Sequence, residues 1–147
     1  MNAANPVASS DMTLVITRYF EAPPERVFDA WLDAKQIARW IGPRGVQAEA
    51  DELDARVGGI YRITMHTPDN SNPKVGGVYK EIARPSKLVF TWTWAHDSRE
   101  TLVTLTFKPV GKGTEMTMRH TGFANAERRD SHNNGWTGSF DKLAEML

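Results

Sequence analysis

Four histidines and one carboxylate are the residues of this chain whose types could do chemistry. His66, His96, His120 and His132 have no spacing that would bring three ligands to one metal, and the chain has no cysteine. No metal and no other cofactor is expected, and disulfide or thiolate chemistry is excluded. Two of the histidines are predicted to face inward on separate grounds. His120 shares the parity of Met116 and Met118 along a strand. His132 lies one helical turn before Trp136, on the same stripe as Phe140 and Leu143. Each suits a polar anchor in an apolar pocket, or an interior histidine satisfied by a backbone carbonyl or water. Glu81 is the third candidate. Its strand can bury Tyr79, Glu81 and Ala83, or else Val78, Lys80 and Ile82. In the first case a carboxylate enters the interior, where desolvation raises its pKa and favours acid–base work. Glu81, His120 and His132 would together be the acid–base set of an enzyme.

An apolar wall would surround them. Tyr61, Met65, Trp92, Trp94, Met116, Met118, Trp136 and Phe140 all take the inward parity of their elements. Aromatic and methionine-rich walls accept flat or flexible apolar ligands, and they equally make a packed core.

The elements that must position these groups are legible from periodicity. Leu14–Phe20 reads as a strand. Pro23-Pro24 stops it and opens a short helix to about Asp33, with Val27, Phe28, Trp31 and Leu32 on its apolar face. Asp33 and Gln36 read as a capping box for a second short helix that Gly42-Pro43 ends. Six strands follow, at about 47–54, 60–66, 76–83, 87–94, 101–108 and 114–121. Short turns between them require antiparallel pairing. Pro68–Lys74 reads as a loop; with Gly42–Val46 it is placed to gate a cavity mouth. Asp54 and Arg56, ahead of Gly58-Gly59, read as a turn brace.

The last segment, from about Ala126 with Asn125 as its cap, has the clean helical period. Trp136, Phe140, Leu143 and Leu147 form its apolar stripe, with Asp141, Lys142 and Glu145 opposite. Gly135 and Gly138 each cost such a helix ~1 kcal/mol against alanine. They imply close packing, or a helix able to bend for a ligand. The whole is an α+β domain over residues 13–147, a curved seven-stranded antiparallel sheet around a long C-terminal helix, with two short helices between strands one and two. Residues 1–12 read as a flexible tail.

Bulk composition narrows the function classes. Eighteen basic and eighteen acidic residues give zero formal charge, so nucleic acid is not an expected partner. No apolar run reaches the roughly 20 residues of a membrane span, and a secretory leader is not read. A cytoplasmic location is compatible with these features, as is a homodimer.

Several stretches then agree with one family. EAPPERVFDAWLDAKQIARWIGP (residues 21–43), DARVGGIYRI (54–63), GGVYKEIARPSKLVFTWTW (76–94), GTEMTMRHTGF (113–123) and HNNGWTGSFDKLAEML (132–147) occur in this order. Together they resemble the SRPBCC superfamily, START-like and birch-pollen-allergen-like, in the branch similar to the C-terminal domain of the activator of the heat-shock chaperone ATPase. Ile41 departs from many relatives, which carry tryptophan there. The resemblance implies a helix-grip fold with a cavity between sheet and terminal helix. It does not settle function, because the fold hosts several. The leading expectation is a binding protein for a hydrophobic or amphipathic small molecule. A cyclase- or hydrolase-type enzyme is the alternative, and a module for a chaperone partner is the third reading.

Overall fold

Alternating apolar residues along the strands and 3.6-residue stripes along the helices produce one sheet closed over one long helix. The structure, a computed structural model, describes residues 12–147. The expected N-terminal tail falls, apart from Met12, outside the described residues. In chain order the elements are β1 (Thr13–Phe20), α1 (Pro24–Leu32), α2 (Ala34–Trp40), β2 (Gln47–Leu53), β3 (Ile60–His66), β4 (Lys74–Ala83), β5 (Lys87–Trp94), β6 (Thr101–Val110), β7 (Gly113–Thr121) and α3 (Ala126–Met146). The sheet runs β1-β7-β6-β5-β4-β3-β2 with every neighbouring pair antiparallel. This is the α+β helix-grip architecture, with the two short helices in the β1–β2 crossover.

The local causes are visible at the helix starts. Pro24 occupies the first turn of α1, where its missing N–H costs nothing. The Asp33 carboxylate caps α2 by accepting from the Lys35 N–H at 2.9 Å and the Gln36 N–H at 3.1 Å. The reciprocal half of the expected capping box is replaced: Gln36 Oε1 accepts from Arg26 Nη1 on α1 at 2.6 Å. Asn125 caps α3 by accepting from the Arg128 N–H at 2.9 Å.

The sheet's inner face supplies Leu88, Val103, Leu105, Met116 and Met118, and α1 and α3 answer with Phe28, Trp31, Phe140 and Leu143; all are buried. Burying each such side chain contributes about 1.5–3 kcal/mol. Aromatic edges lock the seam: Trp31 meets Trp40 at 4.6 Å between centroids and Phe140 at 6.0 Å.

Strand β4 resolves the alternative left open at Glu81. Val75 and Tyr79 are buried, then a bulge between Tyr79 and Glu81 shifts the pairing with β5 by one residue. A bulge adds one residue and reverses the parity beyond it. Ile82 therefore packs against the core, and Glu81 is exposed, 3.5 Å from Lys87 Nζ. Neither of the two strict alternations describes the strand.

The helix's outer side also differs from a bare wheel. Asp141 accepts from Arg18 Nη1 of β1 at 2.6 Å. Lys142 Nζ donates to the carbonyls of Pro43 and Val46, both at 3.2 Å. Each flank of α3 has a neighbour, β1 on one side and the 41–46 segment on the other, so the helix is gripped from three directions. The expected turn brace forms as well, Arg56 Nε donating to Asp54 Oδ2 at 2.8 Å.

Candidate functional site

A cavity of about 280 Å³ opens where the sheet, the 41–46 segment and the N-terminal half of α3 diverge. Trp92, Trp94 and His96 line it from the end of β5, and Met65, Thr67 and Pro73 from β3 and the loop after it. Ile41, Gly42, Pro43 and Val46 close one side. Arg128, Ser131, His132, Gly135, Trp136 and Ser139 face it from α3. These helical positions repeat at spacings of three or four, so one stripe of α3 forms the whole wall.

The two helical glycines have different causes. A side chain at Gly138 would lie 3.1 Å from the Arg44 nitrogen and 3.3 Å from the Pro43 Cα, so its bareness lets the 41–46 segment approach the helix. At Gly135 nothing lies within 4 Å. Packing does not require glycine there. Its missing side chain is open space in the cavity wall.

The 41–46 segment is fixed rather than free. Ser139 Oγ accepts from the Gly42 N–H at 2.8 Å and donates to the Gly135 carbonyl at 2.9 Å. Lys142 holds the Pro43 and Val46 carbonyls, and Arg44 pairs with Glu145. The loop after β3 is braced internally around Thr67, whose hydroxyl donates to Asp69 at 2.6 Å and accepts from the Ser71 and Asn72 amides, both at 3.1 Å. Both segments expected to gate a mouth are present at its edge, each held by its own hydrogen bonds.

The histidines are organised by indoles. Trp136 Nε1 donates to His120 Nδ1 at 3.1 Å. Thr101 Oγ1 donates to the Trp92 carbonyl at 2.8 Å, so its 2.7 Å contact with His120 must be donated by Nε2–H. His120 is thus neutral with both nitrogens used, and burial, with a smaller effect from His132, holds its pKa down to about 3. His132 follows the same plan with the opposite tautomer. Trp94 Nε1 donates to its Nε2 at 2.9 Å, and Nδ1–H donates to the Arg128 carbonyl at 2.8 Å. Burial lowers its pKa too, partly offset by that hydrogen bond. An indole N–H can only donate, so each imidazole lone pair is already occupied. Two buried donors, the indole N–H groups of Trp31 and Trp92, have no hydrogen-bond partner among the described residues.

Of the residues expected to touch a ligand, Met65, Trp92, Trp94, His132 and Trp136 line the cavity. Tyr61, Met116, Met118 and Phe140 do not. They are buried in the packed part of the sheet–helix seam, and Tyr61 spends its hydroxyl on the Thr91 carbonyl at 2.5 Å. Inward parity is common to both regions; what separates them is whether a helix covers that stretch of sheet. His120 lies behind the wall, hydrogen-bonded to Trp136 and with its ring 5.5 Å from that of His132 and 6.0 Å from that of Trp92. His120 and His132 are thus brought together, but Glu81 is exposed beside Lys87, so the three do not meet and the acid–base constellation is not assembled. Sequence reasoning missed Arg128, Ser131, Gly135 and Ser139 as wall residues. The signal was available: they share the helical stripe of His132 and Trp136.

Among the described residues no group of three His, Asp or Glu is placed to hold a metal, and no helix is long and apolar enough to cross a membrane.

Comparison with known proteins gives concordant results. A crystal structure of a protein from Chromobacterium violaceum superposes with a TM-score of 0.87 at 29% identity, covering 92% of this chain and 96% of that one. The AHSA1 protein of Silicibacter pomeroyi is similar at 30% identity and a TM-score of 0.79, again over 92% and 96% of the two chains. A protein from Rhodobacter sphaeroides matches at 26% identity and 0.82, over 95% and 93%. The comparison with curated proteins gives no match. Residues 21–147 match the family described as activator of Hsp90 ATPase homolog 1-like protein. The chain belongs to that family, within the SRPBCC superfamily.

Proposed function

We propose that this protein binds a small apolar or amphipathic molecule in the cavity between the sheet and the N-terminal half of α3. The observation that carries the reading is Gly135. A mid-helix glycine costs about 1 kcal/mol against alanine, no neighbour requires it, and it enlarges a cavity faced by three tryptophans. Met65, Trp92, Trp94, His132 and Trp136 are the proposed contacts. His120 is a positioning residue that holds Trp136, and the remaining inward aromatics and methionines form the supporting core. Membership of a superfamily of ligand-binding domains supports the same reading. The family name alone does not transfer a chaperone role to this chain.

Catalysis by the Glu81, His120 and His132 set is the weaker reading. Both histidines have their lone pairs committed to indole N–H groups, and Glu81 faces solvent beside Lys87. A base needs a free lone pair within reach of its proton.

Native mass spectrometry of the purified protein tests the binding reading. A mass increment of a few hundred daltons, released on denaturation and absent from Gly135→Trp, is the expected result. Equal occupancy in the wild type and in Gly135→Trp would count against this cavity as the site.

A further inference from the structure

The cavity is graded in polarity from floor to rim. Its floor is buried and mainly apolar, with Ile41, Met65, Trp92 and Trp136. Its rim carries Arg128, Ser131 and His96, of which Ser131 and His96 are exposed. Among the described residues, Arg128 is the one in the lining with a permanent charge, and neither aspartate nor glutamate is in the lining. Among the described residues its guanidinium makes one side-chain ion pair, Nη2 to Asp97 Oδ2 at 3.1 Å, with both side chains 39% exposed. A guanidinium has five N–H donors in a planar fork, so most of its donor capacity is uncommitted. The same rim lies over the first turns of α3, the positive end of its dipole. A neutral apolar guest would leave these donors unused, and a cation would be repelled by them.

We propose that the molecule taken by this cavity is a small amphipathic acid, with a flat apolar body among the indoles and a monoanionic head at Arg128. This rests on the cavity reading given above and adds the charge of the ligand to it. The volume of about 280 Å³ lies at the lower edge of the roughly 300–1,000 Å³ usual for small-molecule sites, so the body is one or two fused rings rather than a long lipid chain. Asp97 stays outside the lining. It holds the guanidinium at the rim, where a carboxylate head can approach the remaining N–H donors.

Three probes with the same body separate charge from shape: 2-naphthoate, 2-naphthamide and 2-naphthylmethylammonium. Their affinities are measured by calorimetry at neutral pH and low salt for wild type, Arg128→Gln and Arg128→Lys. The expected result is naphthoate binding about 10-fold tighter than the amide, the value of one exposed charge-assisted hydrogen bond, with the ammonium weakest. Arg128→Gln should weaken naphthoate about 10-fold and the amide by much less, closing the gap between them, and Arg128→Lys should restore part of that gap. If amide and naphthoate bind wild type equally, the charge assignment is overturned while the cavity reading stands. A naphthoate preference that persists in Arg128→Gln overturns the role of Arg128. If none of the three binds wild type, both readings fall.

Discussion

The Trp94 indole N–H donates to Nε2 of His132 at 2.9 Å, joining the last residue of β5 to the second turn of α3 across the cavity rim. Trp136 and His120 repeat the arrangement one turn deeper, at 3.1 Å. In both pairs the imidazole accepts, so protonating either ring would set N–H against N–H. The two pairs hold two of the cavity's tryptophans in place, and they work only while the histidines are neutral.

The protein should therefore lose stability in mild acid. The folded-state pKa of His120 lies at about 3, below its ordinary 6.5, and that of His132 is also lowered. Between these limits the unfolded chain carries a proton at His120 that the folded one does not, so stability falls as pH falls, by up to about 1.4 kcal/mol per pH unit for that residue, and His132 contributes with the same sign. Urea unfolding between pH 7.5 and 5 keeps most carboxylate titration out of the window. His120→Asn should show a shallower slope than wild type; equal slopes would contradict the neutral-acceptor assignment.

Alanine should act oppositely at the two helical glycines. Gly135→Ala meets no atom within 4 Å, so it should stabilise the protein by about 0.5–1 kcal/mol. Gly138→Ala places a methyl 3.1 Å from the Arg44 backbone nitrogen, and the shift forced on the 41–46 segment should cancel or outweigh the helical gain. Denaturation midpoints of the two variants check this.

Ser139→Ala removes the acceptor of the buried Gly42 N–H. A loss of about 1–2 kcal/mol is expected, typical of a buried donor left unpaired. Hydrogen exchange at Gly42 should quicken together with the loss. Unchanged protection there would show that the segment is held mainly by Lys142.

Glu81→Gln should leave both stability and ligand affinity near wild type, within about 0.5 kcal/mol, because it breaks only an exposed pair with Lys87. A large loss of affinity or activity in this variant would restore Glu81 to the site.

Most of the fold could be read from periodicity, because one-sided alternation along β3, β5, β6 and β7 and the stripe of α3 each specify a buried face. The β4 bulge could not. No residue type at Lys80 marks an inserted position, and the bulge decides where Glu81 points. The site was legible only in part for a related reason. Parity puts Met116 and Trp92 on the same inner face, but only the placement of α1, α3 and the 41–46 segment decides that Met116 is packed over while Trp92 borders a void. Gly135 and Gly138 look alike in sequence, and it is their neighbours in space that distinguish an opening from a close approach.

The most direct test of the account follows the indole N–H resonances of the five tryptophans during titration with 2-naphthamide. Trp94 and Trp136 should shift progressively, Trp92 with them, while Trp31 and Trp40, packed in the core, should stay still, and Gly135→Trp should abolish the shifts. If no indole resonance moves, or if Trp31 and Trp40 move and the cavity tryptophans do not, the cavity is not a binding site for flat apolar molecules.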